Sequence, residues 1–160
     1  MGRRLTTKRA TKKPLQSPAP LWGNLPAGAT VAVDTAPFIY LLDGHARFAD
    51  QFAGLFASAD AGDLRIALST ITLAEVLTGP FKAGKTALAR RYEKALSQYT
   101  LVPVSPAIAA LAAQLRAHYR LKLPDAIQLA TALDIGASAL VTHDRDFSQV
   151  TGIDILTGDY

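Results

Sequence analysis

Thr30 to Gly44 reads "TVAVDTAPFIYLLDG", and this stretch sets the architecture expected for the whole chain. "TVAVD" is a short β-prone run that ends in an acid, Asp34. Pro37 then suits the first turn of a helix, and Gly44 supplies a stop. A strand that passes directly into a helix is the opening half of a βαβ unit, the building block of parallel sheets. Asp34 therefore falls at the carboxyl end of a strand. In open α/β sheets that rim is where ligands bind.

The pattern repeats outward from here. "HARFADQFAGLFASAD" keeps Phe48, Phe52, Leu55 and Phe56 at helical spacing, and "LRIAL" (Leu64 to Leu68) is a second strand. Ser69 or Thr70 can cap the helix "ITLAEVLTG", with Gly79 expected to close it. A charged helix is expected from about Lys82 to Gln98, and "TLVPV" as a third strand. Helices follow at Pro106 to Tyr119 and Pro124 to Leu133, then a fourth strand, "SALVT", and a fifth, "IDIL" (Ile153 to Leu156). This alternation predicts an α/β domain with a mainly parallel central sheet flanked by helices on both faces.

Bulk composition narrows the function. A chain of 160 residues fits one domain with its own core. No apolar run approaches the roughly 18–20 residues that span a membrane. The first residues lack the apolar centre of a secretory signal, and there is no cysteine, so the expectation is a cytoplasmic protein. Without thiolates, and with His45, His118 and His143 scattered, any metal would be held by oxygen, which points to Mg²⁺ or Mn²⁺. The net charge of +4 is unevenly placed. Residues 1–13 hold six basic residues and no acid, which leaves eleven basic against thirteen acidic residues in the rest. Residues 1–28, rich in Pro and basic side chains, read as a flexible arm: a solvated tail or an overlong start site, or a loose electrostatic contact with nucleic acid or an acidic partner. Trp22 is expected to pin its end to the body, which spans 29–160.

Four acids then draw attention. Asp34 ends the first strand, and Asp144 lies just past the fourth, in "LVTHDRDF" (Leu140 to Phe147). If the two strands are neighbours, about 4.8 Å apart, their carboxylates can converge. Glu75 sits in the apolar helix "TITLAEVL", and Asp125 opens "PDAIQLATAL" behind Pro124. Each has a plain structural reading. Asp34 and Asp125 suit helix starts, Asp144 and Asp146 suit a turn, and Glu75 can lie on a surface face. Four carboxylates gathered together, however, repel unless a cation lies between them. Such a site can bind a phosphodiester and promote its hydrolysis.

These motifs resemble the PIN-domain family, and in particular VapC-type ribonuclease toxins of bacterial toxin–antitoxin pairs. The resemblance runs from about Thr30 to Leu156 through "VAVDTAPFIYLL", "LSTITLAEVLTG", "LKLPDAIQLATAL" and "LVTHDRDF". It places the family's acids on Asp34, Glu75, Asp125 and Asp144, with Asp146 as an auxiliary ligand and Thr35 and Thr142 as supporting hydroxyls. It implies a three-layer α/β/α fold and Mg²⁺- or Mn²⁺-dependent endoribonuclease activity. It also implies homodimerisation and inhibition by a cognate antitoxin. Two features depart from the pattern. Asp34 follows a basic arm, and His143 stands where asparagine is common. His143 reads either as a tolerated loop residue or as a contact to substrate phosphate. The expected function is a metal-dependent endoribonuclease. The alternatives are a non-catalytic PIN-fold module that binds RNA or protein, and a phosphatase with a nucleophilic strand-end aspartate. Ala36, two residues after Asp34, disfavours the phosphatase.

Overall fold

The computed structural model describes residues 22–158, so most of the basic arm expected over 1–28 lies outside the described residues. Five strands, β1 (Ala29–Val33), β2 (Leu64–Ser69), β3 (Thr100–Val102), β4 (Ala139–Thr142) and β5 (Asp154–Thr157), form one sheet in the order β3-β2-β1-β4-β5. Each neighbouring pair is parallel. The chain builds the sheet from β1 to one edge, then returns to add β4 on the other side of β1. The strand order thus reverses between β1 and β4, and a crevice opens beyond their carboxyl ends. Val33 pairs with Val141, which sets Asp34 and Thr142 side by side on this rim.

Alternate residues along the strands feed two cores. On one face Val31, Val33, Ile66, Leu68 and Val141 meet Phe38, Phe52, Phe56, Val76 and Leu96. These come from α1 (Thr35–Asp43), α2 (Ala49–Asp60), α3 (Thr70–Lys82) and α4 (Thr86–Leu96). On the other face Ala32 and Leu140 pack on Ile108, Ala112, Ala126 and Leu129, from α5 (Pro106–Tyr119) and α6 (Leu123–Asp134). Three layers result, as the strand and helix alternation predicts. Among the described residues, no helix is long and apolar enough to cross a membrane.

Local signals account for most element ends. Gly44 takes the left-handed conformation (φ +64°) and ends α1. Ser69 caps α3 by accepting from the Ile71 N–H. The expectation that Gly79 closes α3 is corrected: the helix runs through Gly79 and Pro80 to Lys82. Pro80 falls in the last turn of α3, close to its end at Lys82, and the left-handed residue is Gly84 (φ +68°). The charged helix is correspondingly shorter than expected and starts at Thr86.

Trp22 is 7% exposed and joins the first core, so it does pin the start of the described chain. Gly54 leaves room for it; a Cβ there would come within 3.0 Å of the indole Cζ2. Trp22→Ala is expected to cost about 3 kcal/mol, read as a lower urea midpoint by far-UV circular dichroism. An unchanged midpoint would show that this contact contributes nothing to the fold.

Candidate active site

Asp34 is the most constrained acid of the rim. It is 6% exposed and caps α1, with Oδ1 accepting from the Thr35 N–H at 2.7 Å. Oδ2 accepts from the Thr142 hydroxyl at 2.7 Å, across the β1–β4 junction. The plain reading of Asp34 as a cap therefore holds, and it holds together with the position on the rim. Burial raises its carboxyl above the ordinary value. The bonds from Thr142 and Thr35 oppose that rise, and the charges of Glu75 and Asp144 add to it.

Glu75 reaches the rim from α3. That helix buries Thr72, Val76 and Pro80 and leaves Glu75 half-buried. Thr35 Oγ1 donates to Glu75 Oε2. Two residues that the sequence did not single out complete this corner. Gln128, 2% exposed, donates from Nε2 to Thr72 Oγ1 at 2.6 Å and to Thr35 Oγ1 at 3.2 Å. The amide thus spends its donors on the hydroxyls that flank Glu75. The signal was present as a lone amide in an apolar helix, "DAIQLATAL", which must find partners when buried.

Asp125 sits in the first turn of α6, and Asp144 starts a 3₁₀ turn over Arg145–Gln149. Asp144 Oδ1 accepts from the Asp146 N–H at 2.9 Å, and the Asp144 N–H donates to Thr142 Oγ1 at 3.0 Å. Asp125, Asp144 and Asp146 each offer a carboxylate oxygen within 4.8 Å of the others. Asp34, Glu75, Asp125 and Asp144 line a single open cavity of about 630 Å³, together with Thr35, Tyr40, His143 and Arg145. Asp146 lies outside that lining and pairs with Lys122 at 3.3 Å. All the predicted site residues thus lie together at the β1–β4 crevice. Asp146 stands at its edge.

The donor set is wholly oxygen, which suits Mg²⁺ or Mn²⁺. Asp125 Oδ2 is buried and has no hydrogen-bond partner among the described residues. Such an atom is costly unless a cation or proton meets it. Burial, and then the charges of Asp34 and Asp144, push the Asp125 carboxyl up to about 6; Lys122 pulls it down. The residues present therefore fit a divalent cation.

A model of the family described as "PIN domain" matches residues 31–153. Among solved structures, the chain is similar to a toxin–antitoxin complex from Klebsiella pneumoniae, at 33% identity and TM-score 0.63, over 77% of this chain and 94% of that one. It shares its fold with VapBC2 from Rickettsia felis bound to a DNA fragment from their promoter, at 20% identity and TM-score 0.67, over 81% and 99% of the two chains. It also shares its fold with the sarcin–ricin loop cleaving VapC toxin of Mycobacterium tuberculosis, at 18% identity and TM-score 0.62, over 74% and 92%. A comparison with curated proteins finds no significant match.

Two measurements follow from this geometry. Without divalent cations, the folded chain holds a proton on Asp125 between about pH 4 and pH 6 that the unfolded chain has lost. Stability should therefore fall as pH rises through that window and level off above it, and Asp125→Asn should flatten the slope. Urea midpoints across the window that are equally steep in both proteins would refute the assignment. Gln128→Leu leaves the Thr35 and Thr72 hydroxyls without their donor and should cost about 1–3 kcal/mol. An unchanged midpoint would mean that the amide is not needed to hold this corner.

Proposed function

The chain belongs to the PIN-domain family, and we propose that it is a divalent-metal-dependent endoribonuclease acting as the toxin of a toxin–antitoxin pair. The buried, unpartnered Oδ2 of Asp125 in a cavity lined by three further acids is the observation that best supports this. Asp34, Glu75, Asp125 and Asp144 would hold Mg²⁺ or Mn²⁺, with Asp146 as an auxiliary ligand. When bound, the ion supplies Lewis-acid stabilisation of the charge on a phosphodiester.

The chain's own residues do the rest. Thr35 N–H and the Thr142 hydroxyl fix both oxygens of Asp34, so its carboxylate does not rotate as substrate enters. Thr35 Oγ1 holds Glu75, and Gln128 holds Thr35. Arg145 and His143 on the cavity wall lie where a phosphate would approach. Water attacks phosphorus in line, and the P–O3′ bond breaks. The products are a 5′-phosphate and a 3′-hydroxyl that takes up a proton.

The toxin role rests on the 33% identical Klebsiella pneumoniae chain, found in a toxin–antitoxin complex. A protein antitoxin and a homodimer are the partners proposed. Phe81 and Leu123, 54% and 51% exposed, offer apolar surface for such contacts. The nuclease domain is assigned to residues 29–160, acting on RNA in the cytoplasm, with the basic arm of 1–28 outside it.

The test is cleavage of a mixed RNA pool by purified protein with Mg²⁺ or Mn²⁺, with EDTA, and with Asp125→Asn. Metal-dependent cleavage is expected, reduced at least about a hundredfold in the variant. Equal cleavage by Asp125→Asn would overturn the site. Binding of RNA without cleavage, in either metal, would favour the non-catalytic module.

A further inference from the structure

Arg145 lines the carboxylate cavity and also a second cavity beside it, of about 410 Å³. His118 and Arg120, from the end of α5 and the residue after it, line this second space, with Asp146 of the 3₁₀ turn. Its wall is basic where the first is acidic. From 95 to 124 the sequence carries no acid, while Arg116, His118, Arg120 and Lys122 fall between 116 and 122. Among the described residues Asp146 is the one acid that lines the second cavity, and Lys122 pairs with it at 3.3 Å. Neither His118 nor Arg120 forms an ion pair among the described residues.

The negative end of the α5 dipole accounts for Arg116 and His118, which lie in its last turn. It does not account for the backbone of Arg120. That residue is left-handed (φ +59°), whereas the other described residues with positive φ are glycines, as after α1 and α3. Glycine takes up this conformation without steric penalty. An arginine there strains the backbone, and such strain collects where a side chain is used. The cavity is also held in shape. The Tyr119 hydroxyl lies 3.2 Å from Thr151 Oγ1 and accepts from the Thr151 N–H at 3.4 Å. This ties the end of α5 to the chain just after the turn that carries Arg145 and Asp146.

We propose that Arg120 and His118, continuing from Arg145, form a backbone subsite that takes a phosphate of the RNA next to the one held at the carboxylates. The proposal rests on the nuclease reading and adds the path of the substrate: out of the acidic cavity, past Arg145 and over the end of α5. Arg145 borders both cavities, so one strand can lie in both without a break. A guanidinium meets a phosphate with paired N–H donors, and it keeps its charge at any working pH. A phosphate contact carries no base information, so it adds affinity to every sequence alike. It also answers an electrostatic problem. Four carboxylates repel a polyanion, and a basic cavity at their edge draws the strand to the rim.

The test is fluorescence anisotropy of the full chain with a short RNA in EDTA, repeated across a salt series, so that binding is read without cleavage. A second probe has the same sugar–phosphate backbone without bases. Arg120→Gln should weaken binding of both probes about threefold or more, and lower the slope of log affinity against log salt by about 0.7. Arg120→Gly should do the same while holding or raising the urea midpoint, because glycine suits the left-handed backbone. An arginine with a merely structural role would not separate affinity from stability in this way. Arg90→Gln removes an exposed cation of α4, on the opposite face of the sheet, and should leave the slope unchanged. The basic arm is present in every protein compared, so its share of the slope cancels. In cleavage assays with Mg²⁺ or Mn²⁺ the Arg120 variants should raise KM by a similar factor and leave kcat unchanged, and a parent that binds only with metal is read this way. A slope and KM equal to the parent's would overturn the subsite, as would an equal loss in Arg90→Gln or a loss confined to the probe with bases. If the parent still cleaves RNA with metal, the nuclease reading then stands alone. If the slope falls as expected but neither metal supports cleavage, the contact stands as part of a binding module and the nuclease reading falls. If the parent neither binds nor cleaves any RNA, both fall.

Discussion

A carboxylate removed from water must be met by donors or by a cation. Asp34 imposes that demand on the centre of this molecule. It lies where the strand order reverses, and both its oxygens are met because β4 comes to lie beside β1. The hydroxyl of Thr142 then reaches it, and the backbone turn into α1 presents the Thr35 N–H. The same adjacency places Asp144 on the rim. Sheet order and site chemistry are thus one constraint. An alternative order that separated β1 from β4 would leave Asp34 short of a donor and the other acids apart.

Around that centre the acids are held by different means. Asp34 and Glu75 are tied into neutral hydroxyl and amide groups, with Gln128 as the buried donor behind them. Asp125, Asp144 and Asp146 are tied mainly to each other, by proximity and a turn, and to Lys122 at the edge. Asp34 and Glu75 have these hydrogen bonds in place before any ligand arrives. On the other side Asp125 keeps a buried oxygen without a donor, and burial with the neighbouring charges raises its carboxyl. A cation entering the cavity would find fixed ligands on one side and strongly attracting ones on the other.

Much of this was legible in the sequence because it is locally encoded. Short apolar runs alternating with helical periods are enough to imply a parallel sheet. The rule that ligands gather beyond strand ends then singles out Asp34 and Asp144. What escaped needs three dimensions. Thr72 looks like an ordinary helix residue, and the lone amide of Gln128 has no assignable partner until α3 and α6 are packed across the rim. Gly79 and Gly84 are both credible stops, and only the backbone shows which one is left-handed. The hydrogen bond between Tyr40 and His143 joins α1 to the residue after β4, a pairing about a hundred positions apart that no local pattern announces.

The order in which the sheet is assembled has a consequence for synthesis. The strand that completes the rim, β4, is encoded after residue 138, and Asp144 beyond it. The rim therefore cannot form until β4 and Asp144 have been translated. A chain that stops before β4 would hold Asp34 without Thr142 and lack Asp144 altogether. The carboxylate rim is thus completed late in synthesis, and products that end before β4 would lack it.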